Sequence, residues 1–194
     1  MSSGCRYTTW MKKLLLALLI LSVSATASAT PSIPASESFA RGSHYWSVTG
    51  GTSRDRGLGW LYFTQLGLQY YIADNLAVTC GGIVGYMDAR RADDGLLAGP
   101  EAGLRWHFAE GNRWSMYLDG VVGEVFQEHA LTPARLRFSF DIQLGIGATY
   151  HVSRTLLYQS GLRWHHLSNG QIRGKDRNGG YDAPMLYLGL ARSF

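Results

Sequence analysis

The chain has 194 residues, among them 24 Gly, 6 Trp, 11 Tyr and 7 Phe, with 18 Lys and Arg against 14 Asp and Glu for a formal net charge of +4. Three of the cations lie in the first 29 residues, so residues 30–194 hold 15 basic and 14 acidic side chains. A balance of +1 gives no support to nucleic-acid binding, and after Ala29 no apolar run reaches the ~18 residues of a membrane helix.

Met1 to Ala29 reads as a secretory signal peptide. Basic Arg6, Lys12 and Lys13 precede the apolar run Leu14 to Leu21, and Ala27-Ser28-Ala29 supplies a small-residue cleavage site. The run is too short to span a bilayer as a helix, which takes ~20 residues. Cleavage removes Cys5 and leaves Cys80 alone, so the exported chain forms no internal disulfide. One domain is expected, over residues 30–194.

Thr30 to Arg41, with Pro31 and Pro34, is a loose lead-in. A first strand is expected over His44 to Thr49, followed by a polar loop from Gly50 to Gly59. The second strand puts Trp60, Tyr62, Leu66, Leu68, Tyr70 and Ile72 on one face and Gln65, Gly67 and Gln69 on the other, and ends at the turn Ala73-Asp74-Asn75. Leu76 to Met87 is the third strand and Asp88 to Leu97 a charged loop. In the fourth, Ala98 to Phe108, Ala102, Leu104, Trp106 and Phe108 oppose Glu101, Arg105 and His107. A short turn, Ala109 to Arg113, leads to the fifth, Trp114 to Gln127. There Glu124 breaks the apolar face and marks a bulge or an interface position.

Glu128 to Ala134 is a loop. In the sixth strand Leu136, Phe138, Phe140, Ile142, Leu144, Ile146 and Ala148 alternate with Arg135, Arg137, Ser139, Asp141 and Gln143. His151 to Arg154 turns the chain into the seventh strand, Thr155 to Ser168. Asn169 to Gly180 is the last long loop and Tyr181 to Phe194 the eighth strand.

Connections thus alternate long and short, as in an antiparallel meander with loops at one end and tight turns at the other. Strands of this length with one continuous apolar face fit a membrane-spanning strand of ~9 to 11 tilted residues. In hydrocarbon every backbone group must be paired internally, so such a sheet has to close. The fold class is all-β: an eight-stranded antiparallel transmembrane barrel with short periplasmic turns and longer extracellular loops. Tyr70, Tyr71, Trp106, Phe108, Trp114 and Tyr150 gather beside the short turns as an interfacial girdle. Glu101, Arg105, His107, Asp119, Arg135, Arg137, Asp141, Arg163 and His165 face the interior. An eight-stranded barrel is wide enough only for side chains to fill it, so these are read as a polar plug rather than a pore.

Leu162 to Asn169 reads Leu-Arg-Trp-His-His-Leu-Ser-Asn. Residues two apart on a strand share a face, so His166 and Ser168 lie with Leu156, Tyr158, Leu162 and Trp164 on the apolar side. Asp182, opening the last strand, shares parity with Leu186, Leu188 and Leu190. A histidine is the usual base for a serine hydroxyl near neutral pH, and a carboxylate fixes the imidazole tautomer. His166, Ser168 and Asp182 therefore converge at one height on the outer wall as a candidate acyl-transfer set, with backbone N–H groups of Asn169 and Gly170 for the oxyanion. Polar residues are also tolerated at a membrane interface without any chemistry, and spacing alone does not separate the two readings. Adjacent His165 and His166 point to opposite faces, which argues against a metal site.

His166-Leu167-Ser168-Asn169-Gly170, followed by Asn178-Gly179-Gly180 and an acid in the last hairpin of a small exported barrel, resembles the PagL-type lipid A 3-O-deacylases. The resemblance is strong over residues 160–194 and architectural elsewhere. It implies a cofactor-free serine-type esterase of the bacterial outer membrane that removes the 3-O-linked 3-hydroxyacyl chain of lipid A. His166 would be the base, Ser168 the nucleophile and Asp182 the orienting acid, with Asn169 and Gly170 near the oxyanion. The best-known members carry glutamate where this chain has Asp182, and the loop before it is somewhat longer here. Arg173, Lys175 and Arg177 in that loop are candidates for the lipid A phosphates, or form a solvated charge run. Expected partners are lipid A or lipopolysaccharide and the outer membrane, with a homodimer allowed. Phe194 resembles the terminal aromatic by which such barrels are recognised for assembly. The competing reading is a non-enzymatic small barrel, an adhesin or structural protein, and a phospholipase is a third.

Overall fold

Strict alternation of apolar and polar residues produces eight strands, in a computed structural model that describes residues 38–90, 92–129, 137–172 and 180–194. They are β1 (His44–Asp55), β2 (Gly59–Ala73), β3 (Leu76–Ala89), β4 (Gly95–Glu110), β5 (Trp114–Gln127), β6 (Phe138–His151), β7 (Leu156–Ser168) and β8 (Tyr181–Ser193). Each pairs antiparallel with the next, and β8 pairs back onto β1 to close the barrel. Closure leaves no unpaired sheet edge, the condition for a β-structure to sit in hydrocarbon. Leu66, Val84, Leu104, Val122, Leu144, Leu162 and Leu186 stand exposed around the outer wall. On a water-soluble protein so large an apolar surface would drive association; on a membrane barrel it is the solvated face.

The lumen is filled. Arg105 and Arg163 each reach Asp119 Oδ2 at 2.8 Å, and their guanidinium groups lie over the rings of Tyr117 and Tyr187 at 3.9 and 4.3 Å. Arg163 also donates to Gln65 and Gln143, whose amides in turn donate to Glu101. Buried charge is tolerated only when paired and hydrogen-bonded, and this network pairs each of its charges, leaving Arg105 Nε as its one unpartnered donor among the described residues. Toward the short-turn end, Phe39 is fully buried and stacks on His107 at 3.8 Å, so the segment before β1 closes that end of the lumen. His44 and Phe194 meet edge-on at 5.3 Å, which brings the two ends of the barrel together on that side.

Five details differ from the sequence-based expectation. The expected loop Gly50 to Gly59 is largely strand: β1 continues to Asp55, paired with β2 and, through Ser53, with β8. Ser53 belongs to the lumen while Thr52 lies on the outer side and donates to the Leu61 carbonyl at 3.0 Å, and a Cβ at Gly51 would overlap the Leu186 carbonyl oxygen. The charged loop at 88–97 likewise shrinks to 90–94, so the long connections at that end are 128–137 and 169–180. Tyr71 is not part of the girdle but faces inward, where its hydroxyl meets His107 Nε2 at 2.9 Å. Arg137 is exposed at the strand entrance rather than in the plug, while Arg135 lies outside the described residues. Glu124 sits in unbroken register opposite Phe140, so it is an exposed outward-facing position and not a bulge.

Candidate active site

The β7–β8 register pairs His166 with Asp182 and Leu167 with Tyr181. In an antiparallel pair, directly opposed side chains lie on the same face about 5 Å apart at Cβ, close enough for an imidazole and a carboxylate to meet. They do: His166 Nδ1 and Asp182 Oδ1 are 2.6 Å apart, with side-chain exposures of 33% and 47%. That contact leaves Nε2 as the ring nitrogen free to act on another group. Gly180 borders the pair; a Cβ there would lie 3.5 Å from His166 Cε1 and 3.4 Å from Asp182 Oδ2.

Ser168 follows on the same face as the last residue of β7, paired with Phe140 of β6. It is only 7% exposed although its neighbours on that face, Leu162 and Trp164, are more than half exposed. The chain turns immediately after it. Gly170 and Gln171 have φ of 61° and 62°, and Ile172 N donates to the Asn169 carbonyl at 3.2 Å. Positive φ at both central positions is the demand of a type I′ turn, met without strain at Gly170. Asn169 is buried, and its Oδ1 accepts from Gln171 N at 2.8 Å, an Asx turn that holds this corner. The Phe140 ring lies against Gly170, 3.1 Å from where a Cβ would be. The serine is thus screened from water by an aromatic ring and a tight turn, and the histidine two residues before it is oriented by a carboxylate.

Two supporting residues lie far away in sequence. Asp55, at the end of β1, accepts from Gly57 N and Leu58 N at 2.7 and 2.9 Å, and its other oxygen accepts from Asp182 N at 3.3 Å. It therefore ties the entrance of β8 to the β1–β2 turn. The Asp-x-Gly spacing signals the turn, but nothing local signals the bond to Asp182. Phe140 is the other, an outward residue whose neighbour is set only by strand register. Arg173, Lys175 and Arg177, and the acid Asp176, lie outside the described residues.

A closed eight-stranded barrel with an apolar outer wall and an aromatic girdle is an outer-membrane β-barrel of the multi-strand, bilayer-spanning kind. On its outer wall a histidine meets a carboxylate, and a serine lies two residues further along the same strand on the same face. The family model for lipid A 3-O-deacylase (PagL) matches residues 41–191. The chain belongs to that family, which accounts for a lipid A deacylase type of outer-membrane protein. No curated protein sequence matches. Among solved structures, Neisserial surface protein A (NspA) is 16% identical with a TM-score of 0.59, covering 78% of this chain and 97% of its own. The outer membrane enzyme PagL is 15% identical with a TM-score of 0.58, covering 74% and 97%. At these identities the two structures speak for the barrel fold.

Proposed function

We propose that the chain is a serine-type esterase that hydrolyses the 3-O-linked 3-hydroxyacyl chain of lipid A in the outer leaflet. The observation that carries this reading is the 2.6 Å contact between His166 Nδ1 and Asp182 Oδ1 on the lipid-facing wall, on the strand that ends at Ser168. Asp182 fixes the tautomer with the proton on Nδ1 and stabilises the imidazolium that forms; Nε2 is then the base. Ser168 Oγ attacks the ester carbonyl carbon as its proton passes to His166 Nε2. N–H groups of Asn169 and Gly170 hold the oxyanion. Collapse breaks the bond to the sugar oxygen, which leaves as the 3-hydroxyl with the proton from His166, and the acyl group remains on Ser168. Water, deprotonated by His166, then releases the 3-hydroxy fatty acid and restores the serine.

Placement explains the substrate. Lipid A occupies the outer leaflet, and its ester groups sit at the depth of a rim facing outward, so they reach Ser168 without entering the barrel. Screening by Phe140 keeps bulk water away from the nucleophile, which strengthens each electrostatic contact in the site. In cells expressing the protein, mass spectrometry of lipid A is expected to show loss of one 3-hydroxyacyl chain. Ser168→Ala is expected to abolish that loss, at least about 10³-fold, while the barrel keeps its heat-modifiable mobility on gels. Unchanged lipid A in the wild type sinks the reading, and loss of glycerophospholipid acyl chains instead redirects it to a phospholipase.

A further inference from the structure

Arg54 is an exposed, even-numbered residue of β1, and it shares the lipid-facing side of that strand with Trp46 and Val48. A cation on that side is costly in mid-membrane and tolerated near the interfaces. Its guanidinium lies over the ring of Trp60, 5.0 Å from the centroid, opposite it in the β1–β2 register. Trp60 is itself stacked on Tyr62 at 6.3 Å and 14°. The guanidinium is therefore held against the wall by the Trp60 ring, itself backed by Tyr62, with a flat face covered and its N–H edge free.

No hydrogen bond or ion pair to Arg54 exists among the described residues, and the nearby acids are placed elsewhere. Asp55 is committed to three backbone N–H groups. Asp88 pairs with Trp60 from the β3 side, so it stands beyond the ring from Arg54. A comparable arginine at the opposite end of the barrel, Arg113, lies 5.2 Å over Tyr150 but donates to the His151 carbonyl at 3.0 Å. The same stacking thus serves a structural hydrogen bond at the short-turn end and leaves an unused donor fork at the other.

The free fork stands beside the catalytic wall. The β1–β8 register runs to Ser53 opposite Met185, which sets Arg54 next to Pro184, two residues from Asp182. The two strands are still side by side further up, where Asp182 N reaches Asp55 at 3.3 Å. At ~4.8 Å per strand and ~3.3 Å per residue, Arg54 Cα is roughly 12 Å of wall from His166 Cα. One sugar ring and an arginine side chain bridge such a gap. A planar fork without a carboxylate, in an interface, at that separation from the ester-cleaving group, fits a phosphate monoester.

From this we infer that Arg54, seated on Trp60, binds a phosphate group on the sugar of the lipid substrate and so sets which ester lies at Ser168. The identity of the lipid rests on the deacylase reading above; the phosphate site itself does not.

The test uses the intact protein in detergent micelles with lipid A and with the same lipid A after enzymatic dephosphorylation. For the wild type, KM is expected to be about tenfold lower on the phosphorylated lipid, a gap in the range of one charge-assisted pair. Arg54→Gln is expected to erase that gap with kcat within about twofold, and Arg54→Lys, which keeps the charge but loses the fork, to retain part of it. A gap that persists in Arg54→Gln, or an equal loss on both lipids, overturns the inference. Binding of the two lipids by Ser168→Ala, with and without Arg54→Gln, reads the same difference without turnover. A protein that hydrolyses neither lipid but shows this binding difference keeps the phosphate site and loses the deacylase reading. Inorganic phosphate binding more tightly than the phosphorylated lipid overturns the assignment to a lipid headgroup.

Discussion

His165 and His166 are chain neighbours, and each stands next to an aspartate, yet the two pairs belong to different environments. His166 Nδ1 meets Asp182 at 2.6 Å on the outer wall, with both side chains partly exposed. His165 Nε2 lies 3.1 Å from Asp141 Oδ1 inside the barrel, with both fully buried. Neither ring nitrogen of His165 has a well-aligned hydrogen-bond partner among the described residues, and its ring packs edge-on against Tyr181 at 5.6 Å. Strand alternation alone separates them. A histidine and a carboxylate in contact therefore do not define a catalytic pair; the outer one, proposed above as catalytic, differs in that a serine ends its strand on the same face and both partners are partly exposed. The inner pair joins the lumen network through Asp141, which accepts from Gln143 at 2.9 Å.

The largest effect that separates the pairs is on turnover. Asp182→Asn keeps the shape but supplies an amide that cannot stabilise an imidazolium and favours the wrong tautomer. Deacylation is expected to fall about 10³-fold, ~4 kcal/mol of transition-state stabilisation, with the unfolding midpoint unchanged, because both side chains are partly exposed. Lipid A mass spectrometry and a urea titration of the same preparation check both halves. An active Asp182→Asn protein would mean that another acid, Asp176 in the preceding loop being the first to examine, orients His166.

The inner pair is expected to behave in the opposite way. His165→Ala empties a fully buried position and leaves the Asp141 carboxylate without its histidine neighbour. Removing one partner of a buried pair destabilises by about 3 kcal/mol, which a urea titration in micelles reads as a lower midpoint. Turnover of the fraction that remains folded is expected to stay within about twofold of wild type. Lost turnover in a fully folded His165→Ala barrel would erase the distinction between inside and outside.

How much of this was open to reading from the chain follows the same division. The outer wall is chemically simple, so alternation exposes it: Leu162, Trp164, His166 and Ser168 could be assigned to one face, and Asp182 to the next strand, from parity alone. Polar lumen residues are harder, because Gly50-Gly51-Thr52-Ser53 has the composition of a loop and is strand because β2 and β8 both pair with it, only Gly51 and Ser53 meeting the crowded interior. Tyr71 shows the same failure in reverse, an aromatic beside a turn that closes the lumen instead of anchoring in the interface. Phe140 and Asp55 were invisible because their relation to Ser168 and Asp182 depends on register across strands that are remote in the chain. The tight Asn169–Ile172 turn was not legible within the long loop expected from Asn169 to Gly180, because its positive-φ residues are Gly170 and Gln171 and it is held by the buried Asn169 side chain.

The smallest expected effect concerns the length of the acid. The family resemblance implies glutamate where Asp182 stands, and Asp182 already reaches His166 from the directly opposed position. An added methylene must fold away from that contact and bring the carboxylate back. Space exists for it: Asp182 is nearly half exposed, and bordering Gly180 presents no side chain. Asp182→Glu is therefore expected to keep turnover within about tenfold of wild type, a change of no more than ~1.4 kcal/mol. This variant must stand far above Asp182→Asn in the same assay, since it preserves the charge that the imidazolium needs. Equal losses in the two would mean that the 2.6 Å geometry, rather than the negative charge, limits the reaction, and that the shorter acid is matched to a register in which His166 and Asp182 face each other directly.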